Sequence, residues 1–130
     1  EAVKRARHVI SENTRTVAAA GALLQGDLKT LGRLMAEAHA SYSRDFEASC
    51  VEADAMVALA QDLPGLIGAR LTGGGFGGCT INLVERDVAE EFAEELGARY
   101  ALETGIEPQV LICNASNGAH AVSRSESRIV

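Results

Sequence analysis

The chain has 130 residues, 47% hydrophobic and 23% charged, which suits one globular domain with a modest core and excludes a large self-contained enzyme. Lys and Arg number 12 against 18 Asp and Glu, a formal charge of −6 that gives nucleic acid nothing to hold. No apolar run approaches the roughly 20 residues of a membrane span, and no basic segment with an apolar stretch behind it opens the chain, so a soluble, cytoplasmic protein without nucleic-acid or membrane partners is expected.

The chain opens at Glu1, without Met, directly into EAVKRARHVISEN, as a piece of a longer polypeptide does. Val3, Ala6, Ile10, Val17, Ala20 and Leu24 recur at helical spacing until Gly26 and predict a first helix over about 2–24 with that stripe as its buried face. Asp27 is an N-cap for a second helix over about 28–39, striped by Leu28, Leu31, Met35 and Ala38. The polar stretch HASYSRDFEAS reads as a turn. Ser49 and Glu52 form a capping-box pattern for a third helix over about 50–62, which ends before Pro64-Gly65. Met35 and Met56 fit helical stripes and belong to the core.

The period then changes to two. Ile67, Ala69 and Leu71 alternate with Gly68, Arg70 and Thr72, and Cys79, Ile81 and Leu83 alternate with Thr80 and Asn82, giving half-buried strands over about 66–72 and 79–85. The connection between them is too short for a crossover helix, so they pair antiparallel. Asp87 and Glu90 offer another capping box for a helix over about 88–103, and the apolar run Val110 to Cys113 predicts an inner strand over about 109–113. A fourth strand would come from the tail after Asn117 or from chain upstream. Residues 123–130 read as a frayed tail. Cys50, Cys79 and Cys113 are odd in number and lack CxxC spacing, which argues for reduced, mostly buried thiols rather than disulfides or a zinc site.

Five of the thirteen glycines fall between Gly73 and Gly78. Each costs backbone entropy to order, and a plain hairpin needs only one or two, so either something approaches this backbone closely or the loop is a wide flexible hairpin. Glycines that allow positive φ can turn successive N–H groups into an anion-binding concavity. A P-loop is excluded because the loop holds no Lys and leads into a strand, and a dinucleotide fingerprint is excluded because no helix follows.

The run GARLTGGGFGGCTINLV from Gly68 to Val84 resembles the third signature of the GHMP kinases in its galactokinase form. RARHVISEN, GDLKTLGRLMAEAH and RDFEASCVEAD resemble the C-terminal region of the same family, in the same order. The chain departs from the pattern at Tyr42-Ser43-Arg44-Asp45, where the family usually carries Leu-Arg-Asp-Asp, and at Val51, where proline is usual. The resemblance implies an α+β, ferredoxin-like C-terminal domain spanning 1–122, its antiparallel sheet covered by helices on one face. It also implies a parent enzyme that transfers the γ-phosphoryl of ATP, with Mg2+, to the C1 hydroxyl of galactose. On that reading Gly73, Gly74, Gly75, Phe76, Gly77 and Gly78 line the cleft near substrate and phosphates, and Thr72, Ser41 and Asp45 are cleft neighbours. The catalytic residues lie in a missing N-terminal domain, which is the partner. No catalytic or metal-binding residue is expected in this chain, nor any cofactor bound by it alone, and its interdomain face could drive self-association. The alternative is a non-catalytic ferredoxin-like binding or regulatory module.

The remaining polar residues have plainer readings. His8, His39 and His120 lack ligand spacing, and His39 suits a helix C-terminus. Asp45 and Glu47 suit dipole partners of the helix start that follows. Arg70 is either salt-bridged or solvated, or near an anion at the loop. Phe76 is either a plug for a partner domain or a local anchor.

Overall fold

The computed structural model describes residues 1–118; the tail 123–130 and His120 lie outside the described residues. The architecture is α+β. Its elements are α1 (Ala2–Gln25), α2 (Leu28–Ser41), a π-helical turn (Tyr42–Phe46), α3 (Val51–Gln61), β1 (Leu66–Thr72), β2 (Cys79–Val84), a 3-10 turn (Arg86–Val88) and α4 (Ala89–Thr104). Helices α1 and α4 stop where Gly26 and Gly105 enter the left-handed region, at φ 68° and 72°, a conformation that Gly adopts without Cβ strain. Asp27 caps α2 by accepting from the Thr30 N–H at 3.0 Å.

β1 and β2 pair antiparallel from Leu66↔Val84 to Thr72↔Cys79, with an irregularity between Leu66 and Gly68. The core is Val57, Ala60 and Leu63 after and within α3, Ala69 from β1, and Phe92 and Leu96 from α4, flanked by Met56, Leu59, Leu66 and Val84. α2 meets β1 backbone to backbone. A Cβ on Gly32 would overlap the Ile67 carbonyl, and one on Gly68 would lie 2.7 Å from the Gly32 Cα, so glycine at both positions is what lets helix and strand approach this closely.

Several sequence expectations are corrected. The α1 stripe of Val3, Ala6, Ile10, Val17, Ala20 and Leu24 faces solvent, and the buried positions of the helix are His8 and Ala22. α1 packs on α2 and on the π turn through a face whose polar residues pair across the contact, His8 with Ser41 and Arg5 with the Asp45 carbonyl. In β2 the phase of burial is reversed. Ile81 lies opposite Arg70 and Thr80 opposite Leu71, so Thr80 and Asn82 share the face of Leu71 and Ala69, while Cys79 and Ile81 are exposed. Cys113 is exposed too and Cys50 intermediate, so the thiols are not mostly buried.

Residues 109–113 form no strand. No described strand pairs with them, and Val110, Leu111 and Ile112 are exposed, as an apolar run without a ladder partner must be. Pro108 and Val110 lie against Gly97 of α4 instead. Neither predicted capping box forms. α3 begins after Cys50 with no side-chain cap because Ser49 bonds Asp54, and the 3-10 turn displaces the start of α4 from Asp87.

Candidate functional site

The stretch 39–49, read from sequence as a turn, is helical through Phe46, and only its last three residues make the turn. α2 runs through His39 and Ser41 and continues into the π turn, closed by the Ala48 N–H donating to the Tyr42 carbonyl at 3.2 Å. Glu47, at φ 56°, then reverses the chain toward α3. A polar segment can be buried here because its side chains satisfy each other across elements. Ser41 donates to Asp45 Oδ2 at 3.2 Å, which leaves its oxygen to accept from His8 Nδ1 at 3.0 Å. His8 is therefore protonated on Nδ1. Its ring stacks on Phe46 at 4.7 Å between centroids and meets Tyr42 edge-on at 5.5 Å.

A second network centres on Asp54. Its carboxylate accepts from Ser43 at 2.9 Å and from Ser49, and lies 3.2 Å from His39 Nε2. His39 Nδ1 accepts the Leu71 N–H at 3.2 Å, so the proton of the neutral ring sits on Nε2 and points at Asp54. His39 lies in the last turn of α2, as expected, but its ring meets Leu71 and Asp54 rather than the last carbonyls, and so ties β1 to α2 and α3 just before the glycine loop. Burial lowers the pKa of both His8 and His39, against the opposing pull of Glu12 and Asp45 on the former and Asp54 on the latter.

The loop itself is a left-handed path. Gly73, Gly75, Gly77 and Gly78 have φ between 86° and 132°, and Phe76 has φ 57°. Its Phe76 N–H donates to the buried Ala48 carbonyl at 2.7 Å. A Cβ on Gly75 would overlap that carbonyl and come within 2.9 Å of the Tyr42 hydroxyl, whereas Gly73, Gly74, Gly77 and Gly78 face open space. The loop is thus seated at one point on the π turn and free elsewhere. Thr72 to Cys79 line an open concavity of about 550 Å3.

Of the predicted site residues, the structure brings Thr72 and the whole run Gly73 to Gly78 to this concavity. Ser41 and Asp45 do not line it; they brace the segment on which the loop rests. Phe76 is 77% exposed and anchors nothing locally. Arg70 is held by Glu12 at 2.8 Å, and Glu12 by Arg15 at 2.8 Å. Burial acts to raise the Glu12 pKa, but the hydrogen bonds from Arg15 and Arg70 outweigh it and hold the carboxyl low. Glu47 pairs with Lys4 and Arg5, and Asp45 with Arg7, so these acids serve α1 rather than the start of α3. Tyr42, Ala48 and His8 escaped the sequence reading as parts of the site. Among the described residues no group of three or more His, Cys, Asp or Glu is placed to hold a metal ion, and no helix is long and apolar enough to cross a membrane.

Comparison with known proteins adds the family. The GHMP kinases C terminal family matches residues 19–102. The chain is 44% identical to the galactokinase of Clostridium acetobutylicum over 121 residues, covering 93% of the chain and 31% of that protein. It is 48% identical to the galactokinase of Roseiflexus sp. over 118 residues, covering 91% and 30%. The crystal structure of Lactococcus lactis galactokinase complexed with galactose superposes with a TM-score of 0.78 at 41% identity, over 81% of this chain and 27% of that one. The chain therefore spans about a third of the length of these relatives. With the family match covering more than half of it, the chain belongs to the GHMP kinases, as a C-terminal domain of that family.

Proposed function

We propose that the full-length protein is a galactokinase, moving the γ-phosphoryl of ATP to the C1 hydroxyl of galactose, and that this domain forms one wall of its cleft through Gly73 to Gly78. The observation that carries the reading is the seated loop: Gly75 is pinned on the π turn while its neighbours keep their backbone open to the concavity. Phosphoryl transfer depends chiefly on positioning and electrostatic stabilisation, with little covalent chemistry for the protein to perform. A glycine backbone at positive φ suits that need, since it offers N–H groups and shape without side chains in the way. The names of the relatives and the galactose in the Lactococcus lactis complex support the choice of sugar.

Thr72 borders the site on this reading, and Ser41 and Asp45 act on it through the seat. ATP and Mg2+ are implied for the parent, but the residues described here do not fit a metal site, so protein ligands to Mg2+ belong to the rest of the polypeptide. That remainder, an N-terminal domain, is the partner. The exposed Val3, Ile10, Val17 and Leu24 of α1, seven residues apart in succession, give it an apolar seam to cover. Separated from it, the chain self-associates through the same seam. The cytoplasm, where ATP is available, is the compartment this activity needs, and the free thiols suit it. The test is an ATP-coupled assay of the full-length protein with galactose: turnover supports the reading, and its absence with galactose but presence with another sugar corrects the substrate.

A further inference from the structure

The loop is fixed where it meets the Ala48 carbonyl and the Tyr42 ring. Gly75 rests over Tyr42, so that an added Cβ would stand 2.9 Å from the hydroxyl and 3.0 Å from Cε1. That ring is itself immobilised, edge-on to His8 at 5.5 Å and tilted on Phe46 at 5.4 Å between centroids. His8 is pinned in turn by the Ser41–Asp45 pair. The π turn that carries Tyr42 also delivers the Ala48 carbonyl to the Phe76 N–H. π-helical insertions of this kind often sit at functional sites.

We propose that Tyr42 is the positioning residue of the glycine loop: its ring, packed against the stacked pair of His8 and Phe46, is the seat that holds Gly75 and Phe76 in place before substrate arrives. The proposal rests on the reading of the loop as a cleft wall. A run of five glycines left unseated would have to be ordered when ligand binds, and that ordering is drawn from binding free energy. A seat provided in advance removes the cost.

The effect is distinguishable from simple destabilisation. A partly unfolded sample lowers apparent kcat and leaves KM alone, whereas a loop that must be ordered on binding raises KM. The experiment uses the full-length protein with Tyr42→Phe and Tyr42→Leu, and follows amide exchange of segment 72–79 together with KM for ATP and galactose. Tyr42→Phe keeps the ring and should match the parent. Tyr42→Leu should speed exchange at the loop and raise KM, each about tenfold, because the preorganised state is lost. Unchanged exchange in Tyr42→Leu, with or without a change in activity, overturns the proposal, as does a Tyr42→Phe variant as impaired as Tyr42→Leu. If Tyr42→Leu does not fold, Phe46→Leu removes a ring that packs on both Tyr42 and His8 and should shift exchange and KM in the same direction; no shift overturns the proposal. If the parent does not phosphorylate galactose, the functional reading fails, while the exchange comparison still decides the seat.

Discussion

Valine at position 75 should separate the loop's placement from the stability of the domain. Its backbone has φ 86°, a left-handed conformation that costs an L-residue roughly 1–2 kcal/mol. The new side chain also overlaps the Ala48 carbonyl and meets the Tyr42 ring. The loop must therefore lift and give up the bond from Phe76 N–H to Ala48, worth about 1 kcal/mol. Together these weigh about 2–3 kcal/mol against the seated loop, which at 1.36 kcal/mol per decade is a loss of order a hundredfold in kcat/KM. Stability should fall less, since a lifted loop escapes most of the strain, and a full-length protein should lose only a few degrees in thermal midpoint. Gly78→Val is the control. At φ 95° it is strained as well, but its Cβ meets nothing, so about tenfold is expected from strain of roughly 1–2 kcal/mol. Steady-state kinetics and thermal unfolding on both variants decide the matter. Equal losses at the two positions, or a large drop in midpoint with an unchanged rate for Gly75→Val, would refute the seating argument.

Gly32→Ala should cost about 3 kcal/mol in denaturant unfolding, because its methyl overlaps the Ile67 carbonyl and neither helix nor strand can yield without repacking. Asp27→Ala should cost about 1 kcal/mol by loss of the cap on Thr30, measured in the same way. Both buried histidines have lowered pKa values, so between those values and the unfolded pKa of about 6.5 the unfolded chain binds more protons. Stability from this source is fully present above about pH 6.5 and declines as pH falls below it. A urea midpoint that is flat or rises between about pH 7.5 and pH 5.5 would contradict that sign. The isolated 130-residue chain should show no galactose-dependent ATP turnover, and turnover above a no-protein control would overturn the division of labour between the domains.

What could be read from the sequence was local. Asp27 declares a cap and Gly26 declares a helix end because each acts on its own few residues. The glycine run stood out because no hairpin needs it. The exposed stripe of α1 misled because heptad spacing says that an apolar face wants cover, not which part of the chain provides it. Residues 39–49 looked too polar for a helix because the groups that satisfy them, His8 for Ser41 and Asp54 for Ser43, Ser49 and His39, lie elsewhere in the sequence. The phase of β2 was reversed since Thr80 and Asn82 lie inward by register with β1, a constraint that hydropathy does not carry. Val110 to Ile112 had strand composition but no strand partner among the described residues. The contacts of Gly32 with Ile67 and of Gly75 with Tyr42 are properties of tertiary packing alone.

If the concavity of Gly73 to Gly78 faces bound substrate, as proposed, ligands must shield the side chains that line it. Cys79 lines it and is exposed, and Cys113, also exposed, lies outside it. The direct measurement is the alkylation rate of each thiol in the full-length protein, with and without galactose plus a non-hydrolysable ATP analogue. Cys79 should be protected when both ligands are present while Cys113 reacts as before. Alkylation of Cys79 at the same rate in both conditions would contradict it.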